Sequence, residues 1–371
     1  MKLSSHLTRL SLALLKQTAD TPTRMISPLS LAEALAMLAE GASGETLRQL
    51  EEFLGITRPT LRRSLSTLRT TFAQASAEQL LQANSLWTDE QGFTPAPTYC
   101  KRLADRYAAE VHALPLAAPD AALRINGWVQ EATGGMIPRL VNEDMLRGLR
   151  LLLINALCFE AEWARAFMSH TCPAPFTLAD GTAVTADFMH SKCEHLFLSR
   201  EGAQGFIKPY AEGHFAFAAI LPPEGVSAED YLTGLDGASL HRMLNTPTEC
   251  PSLHVKMPAF RADYGITLNE ALKALGLTRI FSPAEAELDR MGKADGRLCV
   301  DVILQKTHIE VNTAGTRAAA ATAVTVMTTS LIPPEEYREL VFDRPFLYAI
   351  LHTDTHTPIF MGVMADPTAK E

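Results

Sequence analysis

Eleven histidines, six cysteines and 42 acidic residues offer ample material for an active site, yet their spacing assembles none. There is no Gly-x-Ser-x-Gly elbow for a nucleophile, no His-Glu-x-x-His zinc helix, no Walker loop and no Gly-x-Gly-x-x-Gly turn. His352 and His356 stand four apart, but in an expected strand and turn, where that spacing separates them. Cys100, Cys158, Cys172, Cys193, Cys250 and Cys299 form no Cys-x-x-Cys pair, which weighs against a zinc or redox centre and leaves disulfides open. No cofactor, metal or enzymatic activity is expected. The informative chemistry lies in residues 315–346: Gly-Thr-Arg, four alanines from Ala318 to Ala321, Thr322, a Val/Thr-rich stretch, Pro333-Pro334 and Phe342-Asp-Arg-Pro-Phe346. The segment is too poor in large side chains for a core strand. Its β-branched residues, with no proline between Thr313 and Ile332, still leave it free to pair as one. On composition alone, a flexible linker or an exposed helix remains open.

The surroundings that must position this segment read as an ordinary large core. The 371 residues are 47% hydrophobic and 20% charged, and a formal charge of -9 argues against nucleic acid or an anionic membrane as partner. No apolar run approaches the roughly 20 residues that cross a bilayer. Leu7, Leu10, Leu14 and Leu15 have helical spacing, unlike the unbroken apolar stretch of a signal peptide, so the chain is either cytoplasmic or already processed. Ser27-Pro28 is a helix start, followed by Leu31, Leu35 and Leu38 and a stop at Gly41. Leu47, Leu50 and Leu54 repeat the pattern up to Gly55. Leu61, Leu65, Leu68 and Phe72 mark a third helix, with Arg58, Arg62 and Arg69 on another face. Those arginines read as a solvated face, with weak polyanion contact as the alternative. Strands follow at residues 151–159, 215–221 and 347–352, and a helix at Leu268, Leu272 and Leu275. No linker or repeat divides the chain, so residues 1–371 read as one mixed α+β domain.

Motifs along this framework carry a family resemblance. In order they are Ile26-Ser-Pro-Leu-Ser30, Gly44-Glu-Thr46, Asn84, Asn126 with Trp128-Val129 and Thr133, and Asn155-Ala-Leu157 with Phe159 and Trp163. Lys208-Pro-Tyr210, Leu221-Pro222, Met257-Pro258 and Leu275-Gly276 follow, then Glu310-Val-Asn-Thr-Ala-Gly-Thr-Arg-Ala-Ala-Ala-Ala-Thr322, Phe342 with Arg344-Pro-Phe346, and Phe360-Met-Gly362. The ordered set resembles the serpins, from about residue 7 to 367. The resemblance implies three β-sheets, about eight or nine helices and an exposed reactive loop at about 313–334. It also implies inhibition of serine proteases by a monomer, with an extracellular or cell-surface location favoured and a cytoplasmic one as the alternative.

By that resemblance, residues 315–322 (Gly315, Thr316, Arg317, Ala318, Ala319, Ala320, Ala321, Thr322) are the hinge of the loop. Ser27, Ser30, Asn155, Gln305 and Trp163 control opening of the central sheet. The family spacing places the scissile bond at Thr329-Ser330, with Met327-Thr328 as rival, and a small uncharged residue there suits elastase-like or subtilisin-like enzymes. If the cut loop enters the sheet, Thr316, Ala318, Ala320, Thr322, Val324 and Val326 face inward, and none is charged. Arg317 stands outward where relatives carry Glu, so Arg317→Glu is expected to do little. Gln305 replaces a usual His, and Cys158-Phe-Glu-Ala161 replaces a usual Tyr-Phe-Lys-Gly. Both bear on the barrier to opening. A non-inhibitory binding or chaperone relative is the alternative, although such proteins tend to carry bulky or charged residues or proline in the hinge.

Overall fold

The computed structural model describes residues 2–19, 22–73, 79–316 and 337–369. Its elements run α1 (Lys2–Gln17), β1 (Arg24–Ile26), α2 (Pro28–Gly41), α3 (Gly44–Leu54), α4 (Arg58–Phe72), β2 (Gln79–Asp89), β3 (Phe93–Pro95), α5 (Pro97–Tyr107), β4 (Glu110–Leu114), α6 (Ala121–Ala132), α7 (Glu143–Leu146), β5 (Leu151–Glu162), β6 (Cys172–Thr177), β7 (Ala183–Arg200), β8 (Ala203–Pro209) and β9 (Phe215–Leu221). They continue with α8 (Ala228–Gly234), α9 (Gly237–Asn245), β10 (Thr248–Pro258), β11 (Phe260–Thr267), α10 (Asn269–Ala274), a 3-10 turn (Arg279–Phe281), β12 (Gly292–Ala294), β13 (Val302–Val311), β14 (Gly315–Thr316), β15 (Arg338–Val341), β16 (Phe346–His352) and β17 (Thr357–Met364). Ten α-helices among the described residues exceed the expected eight or nine, and the four-residue α7 is a single turn.

The helices begin and end where local chemistry dictates. Ser27 accepts the Ser30 amide in its side chain and Pro28 fills the first helical position, so α2 starts there. Gly55 takes the left-handed φ of 64° that closes α3. All fourteen residues of α2 are buried, which suits its alanine-rich sequence.

Hydrogen bonding forms three sheets. A nine-stranded sheet follows the order β1-β17-β16-β9-β8-β7-β10-β15, with β6 on β7, and a two-stranded one pairs β12 with β3. The third, of six strands, has the order β11-β13-β14-β5-β2-β4, with β13 and β5 also paired directly. First-third sequence reading expects helices alone. The structure adds β1, β2, β3 and β4 there; β2 and β4 pair in parallel, and β2 lies antiparallel to β5.

The run at 151–159 reads as buried on both faces, and the core divides accordingly. Leu151, Leu153, Leu157, Phe159 and Ala161 of β5 join the main core with α2, while Leu152, Ile154, Ala156 and Cys158 face the core under α6. This alternation is the two-residue period of a strand covered on both sides.

Candidate functional site

The six-stranded sheet is divided by a seam between β13 and β5. These strands pair in parallel from Val302↔Leu152 to His308↔Cys158, placing Gln305 opposite Asn155. Above that stretch a short strand separates them. The side chain of Asn312 accepts the Ala314 and Gly315 amides at 2.9 and 3.2 Å, and the chain reverses into β14. Thr316 then pairs antiparallel with Val311 on one side and with Ala161 on the other. The hinge thus begins inside the sheet.

Thr316 is fully buried, and its hydroxyl shares a 2.6 Å hydrogen bond with the Tyr210 hydroxyl. Trp163 stacks on Tyr210 at 4.5 Å, and its indole N–H donates to the Asn312 carbonyl at 2.9 Å. Phe159 meets the Tyr210 ring edge-on at 4.9 Å. Lys208 lies over the Phe167 ring at 4.6 Å and is paired with Glu194, which also accepts from Ser191. Burial pushes the Lys208 ammonium below its ordinary pKa, and Glu194 offsets part of that shift. No sequence motif marks Glu194, because it joins Lys208 only across neighbouring strands.

The middle of the seam is polar. Gln305 donates to the Ser27 carbonyl at 2.9 Å and to Asn155 Oδ1 at 3.2 Å, while its own Oε1 accepts the Ser27 amide at 2.9 Å. Asn155 Nδ2 donates to the Ser30 carbonyl at 3.0 Å and to Asn84 Oδ1, and Ser30 Oγ donates to Asn155 Oδ1. Ser27, Ser30, Asn155 and Gln305 are therefore one cluster, as expected, with Asn84 as a fifth member. Trp163 is not part of it; it belongs to the hinge end. An amide side chain can both donate and accept, so Gln305 satisfies this site without an imidazole.

Arg58, Arg62 and Arg69 are not a solvated face. Arg58 donates to the Ala39 carbonyl at 2.9 Å, Arg69 to the Arg106 carbonyl at 2.6 Å, and Arg62 to both oxygens of Glu40. Arg106 and the Tyr107 hydroxyl also bind Glu40. The buried Glu40 carboxylate draws Arg62 inward, because an unpaired charge there would be costly, while Arg58 and Arg69 are held by backbone carbonyls.

Arg317, Ala318, Ala319, Ala320, Ala321 and Thr322 of the hinge, and the bonds at Met327-Thr328 and Thr329-Ser330, lie outside the described residues. Among the described residues no cluster of ligating side chains could hold a metal ion, and no helix is long and apolar enough to cross a membrane.

The three sheets, the parallel seam and the hairpin into it define a protein of the serpin class. The serpin (serine protease inhibitor) family model matches residues 5–367, and the chain belongs to that family. It is 30% identical to leukocyte elastase inhibitor A of Mus musculus over 369 residues, covering 95% of each chain. The crystal structure of the thermophilic serpin tengpin in its native state matches at a TM-score of 0.91 with 33% identity, covering 98% of this chain and 94% of that one. Tengpin in its latent state, also 33% identical and covering 98% of each chain, matches at 0.83.

Proposed function

We propose that this protein inhibits serine endopeptidases as a suicide substrate, with the β13–β5 seam as the slot that receives the cut loop. The observation that carries the reading is β14: two residues of the hinge already occupy the strand position between β13 and β5, antiparallel to both. Continuing that register through the hinge places Ala320 opposite Leu157 and Thr307, Thr322 opposite Asn155 and Gln305, and Val326 opposite Leu151. The small inward residues then meet the main core without overpacking.

In the proposed sequence the protease serine Oγ attacks the Thr329 carbonyl carbon, the Thr329-Ser330 bond breaks, and the Ser330 amine leaves with a proton. The protease remains joined to Thr329 as an ester. About eleven inserted residues at 3.3 Å each carry that ester roughly 36 Å along the sheet. Pressing the bound enzyme against the far end would distort its oxyanion hole and stop deacylation. A new strand would gain backbone hydrogen bonds on both sides, on the order of 10 kcal/mol, so the uncut state is held kinetically.

A small uncharged residue at Thr329 and the likeness to a leukocyte elastase inhibitor support an elastase-like target, with subtilisin-like enzymes next. Met327-Thr328 is the rival bond. The protein acts as a single domain and as a monomer in this reading. Cys100, Cys172, Cys250 and Cys299 are outside any disulfide, which supports a cytoplasmic over an extracellular site of action. Weak polyanion contact at Arg58, Arg62 and Arg69 stays a secondary proposal; of the three, Arg62 is about a third exposed and shares Glu40 with Arg102 and Arg106.

The test is a gel after mixing with elastase, subtilisin, trypsin and chymotrypsin. A band at the summed mass that survives SDS is expected with elastase, and mass spectrometry of the released peptide should find Ser330 at its start. Cleavage of the loop by all four enzymes, with no such band, would move the protein to the non-inhibitory class.

A further inference from the structure

The polar chain under the seam does not stop at the asparagines. Asn84 Nδ2 donates to Glu33 Oε2 at 2.8 Å, and Gln82 Nε2 donates to the same oxygen. Glu33 sits on α2 and is almost fully buried. The elements packed around it supply few charges. From β2 it meets the neutral amides Gln82 and Asn84, and Arg69 of α4 acts on it only through its field. Arg62 of α4 and Arg102 and Arg106 of α5 are engaged by Glu40, two turns further along α2. Burial pushes the Glu33 carboxyl up to about 7, against the pull of Asn84, Arg69 and Gln82.

Helix α2 holds both halves of the seam. Ser27 is bonded to Gln305 on β13, whereas Ser30 and Glu33 are bonded to Asn155 on β5 and to Asn84 and Gln82 on β2. Admitting a strand requires β13 and β5 to part by about 4.8 Å. The helix cannot follow both, so one set of bonds must break. Sliding β2 away would strip the carboxylate of its donors while α2 stays covered, and bonds to a charged acceptor are the stronger ones.

We propose that Glu33 is a positioning residue for sheet opening: as a carboxylate it anchors β2 and β5 to α2 and holds the seam shut, and as the neutral acid it releases them. The seam then opens more readily in mildly acidic than in mildly alkaline solution. This rests on the reading that the seam opens to admit the loop. Global unfolding has the opposite slope, because it delivers Glu33 to water. A folded-state pKa above the unfolded one means that the stabilisation is complete at low pH and is lost as pH rises from about 4.5 through about 7.

Hydrogen exchange of the β5 and β13 amides in the intact protein, corrected for intrinsic rates, reads the seam directly. Opening should fall about tenfold between about pH 6 and about pH 8. Glu33→Gln should flatten the profile, and Arg69→Gln should move its midpoint to higher pH. The proposal is overturned by a flat wild-type profile, by the same pH dependence in Glu33→Gln, or, if that variant does not fold, by an unmoved midpoint in Arg69→Gln. Melting of loop-nicked wild-type protein runs alongside. If nicking fails to stabilise the chain, the insertion reading falls, while the exchange profile still decides the role of Glu33.

Discussion

The hinge end and the middle of the β13–β5 seam are built from different materials. At the hinge end, Trp163, Tyr210 and Phe159 form an aromatic stack that receives Thr316 through one shared hydroxyl bond, and a strand already lies between β13 and β5 there. In the middle, Gln305, Asn155, Asn84, Ser27 and Ser30 tie both strands to α2 through buried amides and hydroxyls. Apolar surfaces exchange one partner for another at little cost, whereas each buried polar group must keep a partner throughout. On the proposed mechanism, insertion would therefore begin at the hinge end at little cost. It must wait at the middle of the seam.

The largest effect expected from this contrast is that of cutting the loop. Nicking anywhere between Val324 and Ser330 lets the strand pass the polar middle, and calorimetry should find stability raised on the order of 10 kcal/mol. Next comes Ala320→Glu, which on the proposed register would set a charge opposite Leu157 and Thr307 in the inserted strand. A stoichiometry titration with elastase should find a substrate in place of an inhibitor. Thr316→Arg should do the same and also lower the melting temperature of the uncut chain, because Thr316 is already buried against Tyr210.

Arg317→Glu should have an intermediate effect, which revises the expectation drawn from its outward position alone. Continued by one residue, the register of Thr316 would bring residue 317 between Glu160 of β5 and Glu310 of β13 in the inserted strand, where an arginine would be matched and a glutamate repelled. A stoichiometry unchanged by that substitution would show that the register slips. Gln305→Ala leaves the Ser27 amide without its partner, costing about 1–3 kcal/mol, and should hasten spontaneous loop insertion on warming, read on native gels. The smallest effect is that of Tyr210→Phe, about 1 kcal/mol, confined to the hinge end and seen as faster exchange of the Thr316 amide.

Much of this was legible in the chain itself. Residues 151–159 announced a strand buried on both faces, and Ser27-Pro28 the start of α2. The strand β2 was not legible, since Gln79, Gln82 and Asn84 interrupt its apolar residues. Gln82 and Asn84 do so because they serve the polar chain beneath the sheet. The arginines of α4 misled for a related reason: helical spacing gives the face on which they stand, but not the buried Glu40 of α2 that binds Arg62 or the Ala39 and Arg106 carbonyls that bind Arg58 and Arg69.

The order of motifs, the small side chains of the hinge and their two-residue period are local properties of a linear chain, and the sequence by itself determined them along with the family. Which groups meet across the seam depends on contacts between residues far apart in the chain. Only the tertiary structure decided that Gln305 answers Ser27 and Asn155, that Lys208 finds Glu194, and that the carboxyl of Glu33 lies under β2. Burial and pairing, which set the energy of each polar group, do not exist until the sheet has closed over α2.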